Sequence, residues 1–127
     1  MAKFLTEEWA SEVASALNTS DEVRAALTGV ELTIQQIVTG GPGGETKYWT
    51  KLQDGTVETA VGELSDPDVR MTQDYETAAA TNRGELNAQA AFMQGKLKIT
   101  GNMGKLLRNQ GAVSAIGLVL AKVPTEY

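Results

Sequence analysis

The 127-residue chain contains no cysteine and no histidine. Lacking cysteine, it has no disulfide framework, no thiolate zinc site and no cysteine nucleophile. Lacking histidine, it has no Ser-His-Asp triad, no imidazole base and no imidazole-ligated metal. Any metal would need a hard, all-oxygen site. Positive charge is also scarce: 11 basic side chains stand against 16 acidic ones, a net of −5, which argues against nucleic acid as a partner. The deficit is uneven. Residues 1–86 carry 6 basic and 15 acidic groups, whereas residues 87–125 carry no carboxylate side chain at all. An anionic ligand or surface would be met most easily by that C-terminal third.

Long apolar runs are missing too. The longest, Ala112 to Ala121, is interrupted by Ser114 and is too short to span a bilayer. Met1 to Trp9 has no basic region followed by an apolar stretch, so secretion is not expected. Thr125-Glu126-Tyr127 is not a peroxisomal tripeptide, and a cytoplasmic location is the expectation. The length suits one domain, expected to span residues 1–127 and to bury roughly two-thirds of the surface its unfolded form exposes.

What is present reads as helices flanking strands. Thr6-Glu7-Glu8 opens a helix whose stripe is Trp9, Val13 and Leu17. Thr19-Ser20-Asp21-Glu22 opens a second, ended by Gly29. Val30, Leu32 and Ile34 alternate with polar residues, as in a half-buried strand. Gly40–Gly44 is a hairpin tip, Tyr48–Gln53 and Thr56–Val61 are strands about the Asp54-Gly55 turn, and Val69–Thr72 is a fourth strand. These four are expected to form an antiparallel meander. Short helices follow Asp74 and Asn87. Lys96–Thr100 is a fifth strand with Leu97 and Ile99 inward. Asn102 caps another helix, and after Gly111 a last helix runs to about Lys122. Strands grouped apart from helices indicate an α+β fold: a five-stranded, mostly antiparallel sheet covered on one face by helices.

Few motifs carry chemistry. Gly40–Gly44 lacks the lysine and helix start of a phosphate loop. Gly101-Asn102-Met103-Gly104 has the GxxG spacing of nucleotide-clamping loops, but it follows a strand rather than joining two helices. Asp66, Asp68 and Asp74 cluster in sequence and could raise one another's pKa, yet turn and cap positions account for them. No catalytic constellation assembles. The last helix is more informative. Ala112, Val113, Ile116, Leu118, Val119 and Leu120 place apolar groups on every side, so it must be enclosed or must cover something apolar. A core helix, a dimer interface and the lid of a ligand cavity all satisfy that pattern. Met71, Met93 and Met103 would supply adaptable lining.

Positions 90–104 read AAFMQGKLKITGNMG. This run resembles the hallmark segment of the sterol carrier protein-2 family, in which a Phe-Gly-Lys strand with alternating lysines leads into Gly-Asn-Met and a helix. The matching residues are Phe92, Gly95, Lys96, Lys98, Ile99, Gly101, Asn102 and Met103. Trp49, Asp54-Gly55, Asp68 through Asp74 and Gly84-Glu85-Leu86 extend the resemblance over nearly the whole chain. The resemblance implies an apolar tunnel between sheet and helices, holding a fatty acid, fatty acyl-CoA, phospholipid or sterol-like ligand. It implies no metal or redox cofactor and no enzymatic activity of the domain itself. The expected lining is Met71, Phe92, Met93, Met103, Leu106, Leu107, Ile116, Leu118, Val119 and Leu120. Lys96, Lys98, Lys105 and Arg108 are expected to face a headgroup or an anionic membrane. Either a monomer or a homodimer fits. The family also includes domains fused to enzymes, so an interaction or substrate-presenting module is the alternative.

Overall fold

In a computed structural model the chain is described from Ala2 to Tyr127. Ala2–Lys3 forms a short strand, β1. Helix α1, Glu7–Asn18, starts where Thr6 Oγ1 accepts a hydrogen bond from the Trp9 N–H. It buries Trp9, Ala10, Val13 and Leu17 as one stripe. Ser20 caps α2, Asp21–Ala26, in the same way.

Strands β2 (Glu31–Gly41), β3 (Gly44–Gln53) and β4 (Thr56–Val61) form the expected antiparallel meander. The first hairpin is tighter than the glycine run suggests. Gly41 pairs with Gly44, so only Pro42 and Gly43 turn. The fourth strand does not continue the meander. β5, Val69–Asp74, lies parallel to β2 on its other side, with Ile34 opposite Val69. The segment from Gly62 to Asp68 therefore crosses from the β4 edge back past β2. Gln35 fastens this crossover: its Nε2 donates to the Tyr48 and Gly62 carbonyls, and its Oε1 accepts from the Leu64 N–H at 2.7 Å. A buried amide satisfied on both ends is stable where an unpaired one would be costly.

Helices α3 (Tyr75–Asn82) and α4 (Ala88–Met93) precede β6, Leu97–Gly101, which pairs antiparallel with β5. The sheet order is β4-β3-β2-β5-β6, a mixed sheet with one parallel pairing. Helix α5, Met103–Arg108, leads almost directly into α6, Gln110–Leu120, which starts before Gly111 rather than after it. Thr125–Glu126 forms β7 and pairs parallel with β1, a closure of the two ends that no sequence pattern announced.

Because opposed residues on neighbouring strands share a face, register divides the sheet cleanly. Leu32, Ile34, Val38, Leu52, Val57, Val69 and Leu97 point to the face on which the helices lie and are buried. α1 packs on β4, and α3 on β2 and β5. Asn18, the last residue of α1, lies against the outer edge of β4. Its Nδ2 donates to the Val57 carbonyl at 2.9 Å and its Oδ1 accepts from the Val57 N–H at 2.8 Å.

Candidate functional site

The expected lining residues divide into three groups. Met71 on β5 and Leu106 on α5 are buried in the core. Met103, Ile116, Val119 and Leu120 are half-buried and pack against it. Phe92, Met93, Leu107 and Leu118 stand on the surface, 44%, 78%, 61% and 64% exposed. The all-round apolar helix α6 is thus not enclosed; among its described residues only Ala112 is buried. Apart from Tyr127, these four are the large hydrophobic residues exposed among the described residues.

Two surface hollows lie elsewhere. One of about 680 Å³ is polar, bordered by Asn18, Asp21, Arg24 and the Asp54-Gly55 turn. The other, about 360 Å³, lies between α1 and the C-terminal segment, bordered by Glu12, Ala16, Val119, Lys122 and Val123 among others. Of the expected lining, Val119 alone borders either hollow.

The cations do not act as a group. Lys105 donates to Asp68 Oδ2 at 3.0 Å, which commits it to joining α5 to the start of β5. Partial burial works against the charged Asp68 carboxyl. The Thr33 N–H and the Lys105 ammonium outweigh it and hold the pKa below the ordinary carboxylate value. Lys96 and Lys98 are exposed; Lys98, opposite Thr72, alternates to the face without helices. Arg108 is exposed on α5. Among the described residues, Lys96, Lys98 and Arg108 form no ion pair. The aspartate cluster is structural. Asp74 caps α3 through the Thr77 N–H, which lowers its pKa, and Asp68 holds the crossover. No group of acidic side chains among the described residues is arranged to hold a metal.

A set of polar side chains escaped the sequence reading. Tyr48, Gln36 and Met71 are opposed in one row across β3, β2 and β5, on the helix-covered face. Gln73, in the next row, donates from Nε2 to Gln36 Oε1 at 3.0 Å. The Tyr48 ring meets Trp9 of α1 edge to face at 5.2 Å. One signal was available: Gln36 interrupts the inward series Leu32, Ile34, Val38.

No helix among the described residues is long and apolar enough to cross a membrane. The geometry is that of an α+β layer, a five-stranded mixed sheet with helices on one face, and known proteins share that fold. Residues 13–114 match the model of the SCP-2 sterol transfer family. Sterol carrier protein 2 of Gallus gallus is 38% identical over 71 residues, which cover 55% of this chain and 13% of that protein. Peroxisomal multifunctional enzyme A of Dictyostelium discoideum is 44% identical over 64 residues, 49% of this chain and 14% of that enzyme. The chain thus spans about one seventh of the length of these curated relatives. A crystal structure of sterol carrier protein 2 superposes with a TM-score of 0.82 at 23% identity, over 96% of this chain and all of that one. Family model and fold agree with the run at positions 90–104, and lipid binding and transfer are the general business of such domains: the chain belongs to the SCP-2 sterol transfer family.

Proposed function

We propose that the domain holds an elongated lipid between the sheet and helices α4, α5 and α6, and exchanges it at an anionic membrane surface. The ligand class is a fatty acid, fatty acyl-CoA, phospholipid or sterol-like molecule, lined by Met71, Met103, Leu106, Ile116, Val119 and Leu120. One observation carries the reading. Every large hydrophobic residue exposed among the described residues lies between Phe92 and Tyr127, and residues 87–125 have no carboxylate side chain. Exposed apolar groups on a segment whose Lys96, Lys98 and Arg108 form no ion pair among the described residues suit contact with an anionic bilayer, where each cation contributes on the order of 1 kcal/mol. Once inside, each buried methylene contributes about 0.8 kcal/mol, so a long tail needs no charged anchor. Phe92, Met93, Leu107 and Leu118 would meet the acyl region at the point of exchange.

The test is organic extraction of the purified protein followed by lipid mass spectrometry. Recovery of a stoichiometric lipid supports the carrier; a lipid-free protein that also takes up none from vesicles removes it. A second reading is favoured by the relatives' greater length and by the exposed faces of α4 and α6: an interaction or substrate-presenting module of a larger enzyme. In that case the apolar surface covers a protein partner or a second copy, and extraction yields nothing.

A further inference from the structure

The helix-covered face of the sheet is less apolar than a closed core requires. Gln36 and Gln73 meet there, and Gln73 is 8% exposed. Their hydrogen bonding is incomplete. The Gln36 Nε2 reaches only the thioether of Met71, at 3.6 Å, a weak acceptor. Tyr48, opposite Gln36, is half-buried; burial pushes its hydroxyl pKa up, and no hydrogen-bond partner among the described residues takes the hydroxyl. Beside it Trp9 is 2% exposed, and its Nε1–H is buried with no hydrogen-bond partner among the described residues. Buried donors in folded proteins are nearly always paired, so the idle indole N–H calls for a partner, and the unpaired phenol stands beside it. They are also neutral. The neighbouring cations lie elsewhere: Lys47 alternates away from Tyr48 and pairs with Glu63, and Lys98 alternates away from Ile99. A buried carboxylate would find no counter-charge, whereas a hydroxyl or carbonyl oxygen would find donors and acceptors.

We propose that Gln36, Gln73, Tyr48 and Trp9 form a neutral hydrogen-bonding site for the hydroxyl or carbonyl oxygen of an uncharged lipid, which would make these residues specificity-determining. The assignment rests on the lipid-carrier reading of the domain. It predicts a preference for fatty alcohols and esters over ionised fatty acids, set by polar groups on the sheet rather than by the surface lysines. Nothing in the helical apolar lining would distinguish those ligands.

The experiment uses the intact, delipidated chain with radiolabelled hexadecanol, hexadecane and palmitate at neutral pH, reading the label retained through gel filtration. The native chain should hold hexadecanol about tenfold more tightly than hexadecane, the value of one or two hydrogen bonds made in a dry site. Tyr48→Phe keeps the ring against Trp9, and Gln73→Met keeps the side-chain length. Each should weaken hexadecanol retention roughly three- to tenfold and leave hexadecane unchanged. Equal retention of alcohol and alkane by the native chain overturns the site, and so does a preference for palmitate over hexadecanol. Variants that keep the full alcohol preference overturn it as well. Loss of hexadecane together with hexadecanol assigns these residues to folding instead and also overturns it. If the native chain retains none of the three, the carrier reading fails and the site falls with it.

Discussion

Lys105 Nζ lies 3.0 Å from Asp68 Oδ2, and the same oxygen accepts the Thr33 N–H at 2.9 Å. One carboxylate therefore joins β2, the end of the crossover and α5. Lys105→Met should cost about 1 kcal/mol, in the range of a half-buried ion pair that retains its other hydrogen bond. The Asp68 pKa is lowered in the folded state. Its contribution is therefore fully present above the unfolded carboxyl value near pH ~4 and is lost as pH falls through the folded value. Urea denaturation of the native chain and Asp68→Asn should show a stability gap that is constant at neutral pH and closes below about pH 4. A gap that widens on acidification would contradict this assignment.

Gly101 turns the chain from β6 toward α5 at φ +112°, and a Cβ there would run into the Asp68 carbonyl oxygen. Both the dihedral and the backbone contact oppose a side chain. Gly101→Ala should destabilise by more than about 2 kcal/mol. Thermal unfolding checks it, with Gly43→Ala, whose Cβ would meet nothing, as the neutral control.

Lys96 and Lys98 are exposed and unpaired among the described residues. Replacing both with glutamate should slow lipid transfer from anionic vesicles several-fold at low salt and leave transfer from zwitterionic vesicles unchanged. Raising the ionic strength should shrink the difference. Equal slowing from both vesicle types at every salt concentration would remove the electrostatic explanation.

Ile116 and Leu118 separate two roles of α6. Ile116 packs against the core, whereas Leu118 is 64% exposed. Leu118→Glu should change folding stability by no more than about 0.5 kcal/mol while impairing exchange at a membrane. Ile116→Glu should abolish fatty-acid binding, because a carboxylate would enter an apolar site at a cost of several kcal/mol. Urea unfolding and a vesicle-transfer assay read the first variant, and a fluorescent fatty-acid titration paired with sedimentation is run on both. Unchanged binding in both variants, with loss of a dimer, would favour the interaction module.

Much of the fold was legible from local signals. Thr6, Ser20, Asp74, Asn87 and Asn102 all cap helices as their side chains suggest. Leu97 and Ile99 face inward while Lys96 and Lys98 face water. Strand partnership was not legible in the same way. Whether β5 joins β4 or β2 depends on where the Gly62–Asp68 segment passes, and that path is fixed by Gln35, far away in sequence. The exposure of α6 was hidden for a related reason: apolar periodicity reports which side chains dislike water, not which ones the remaining chain can cover. Of the residues bearing on ligand chemistry, the apolar ones were visible as a pattern. Gln36, Gln73 and Tyr48 become a group only once register puts them side by side.

Asn18 answers a problem that any open sheet carries. A β4 edge with free N–H and C=O groups is a template on which a second chain can add a strand. At Val57 that template is occupied by the amide of Asn18, which mimics one residue of a neighbouring strand. An incoming strand would first have to evict α1's own C-terminus. A protein that keeps greasy side chains in water has every reason to deny such nucleation, because apolar adhesion on one side and strand addition on another would together seed fibres. With the β4 edge blocked at Val57, the stickiness of α4 to α6 can stay available for reversible contacts.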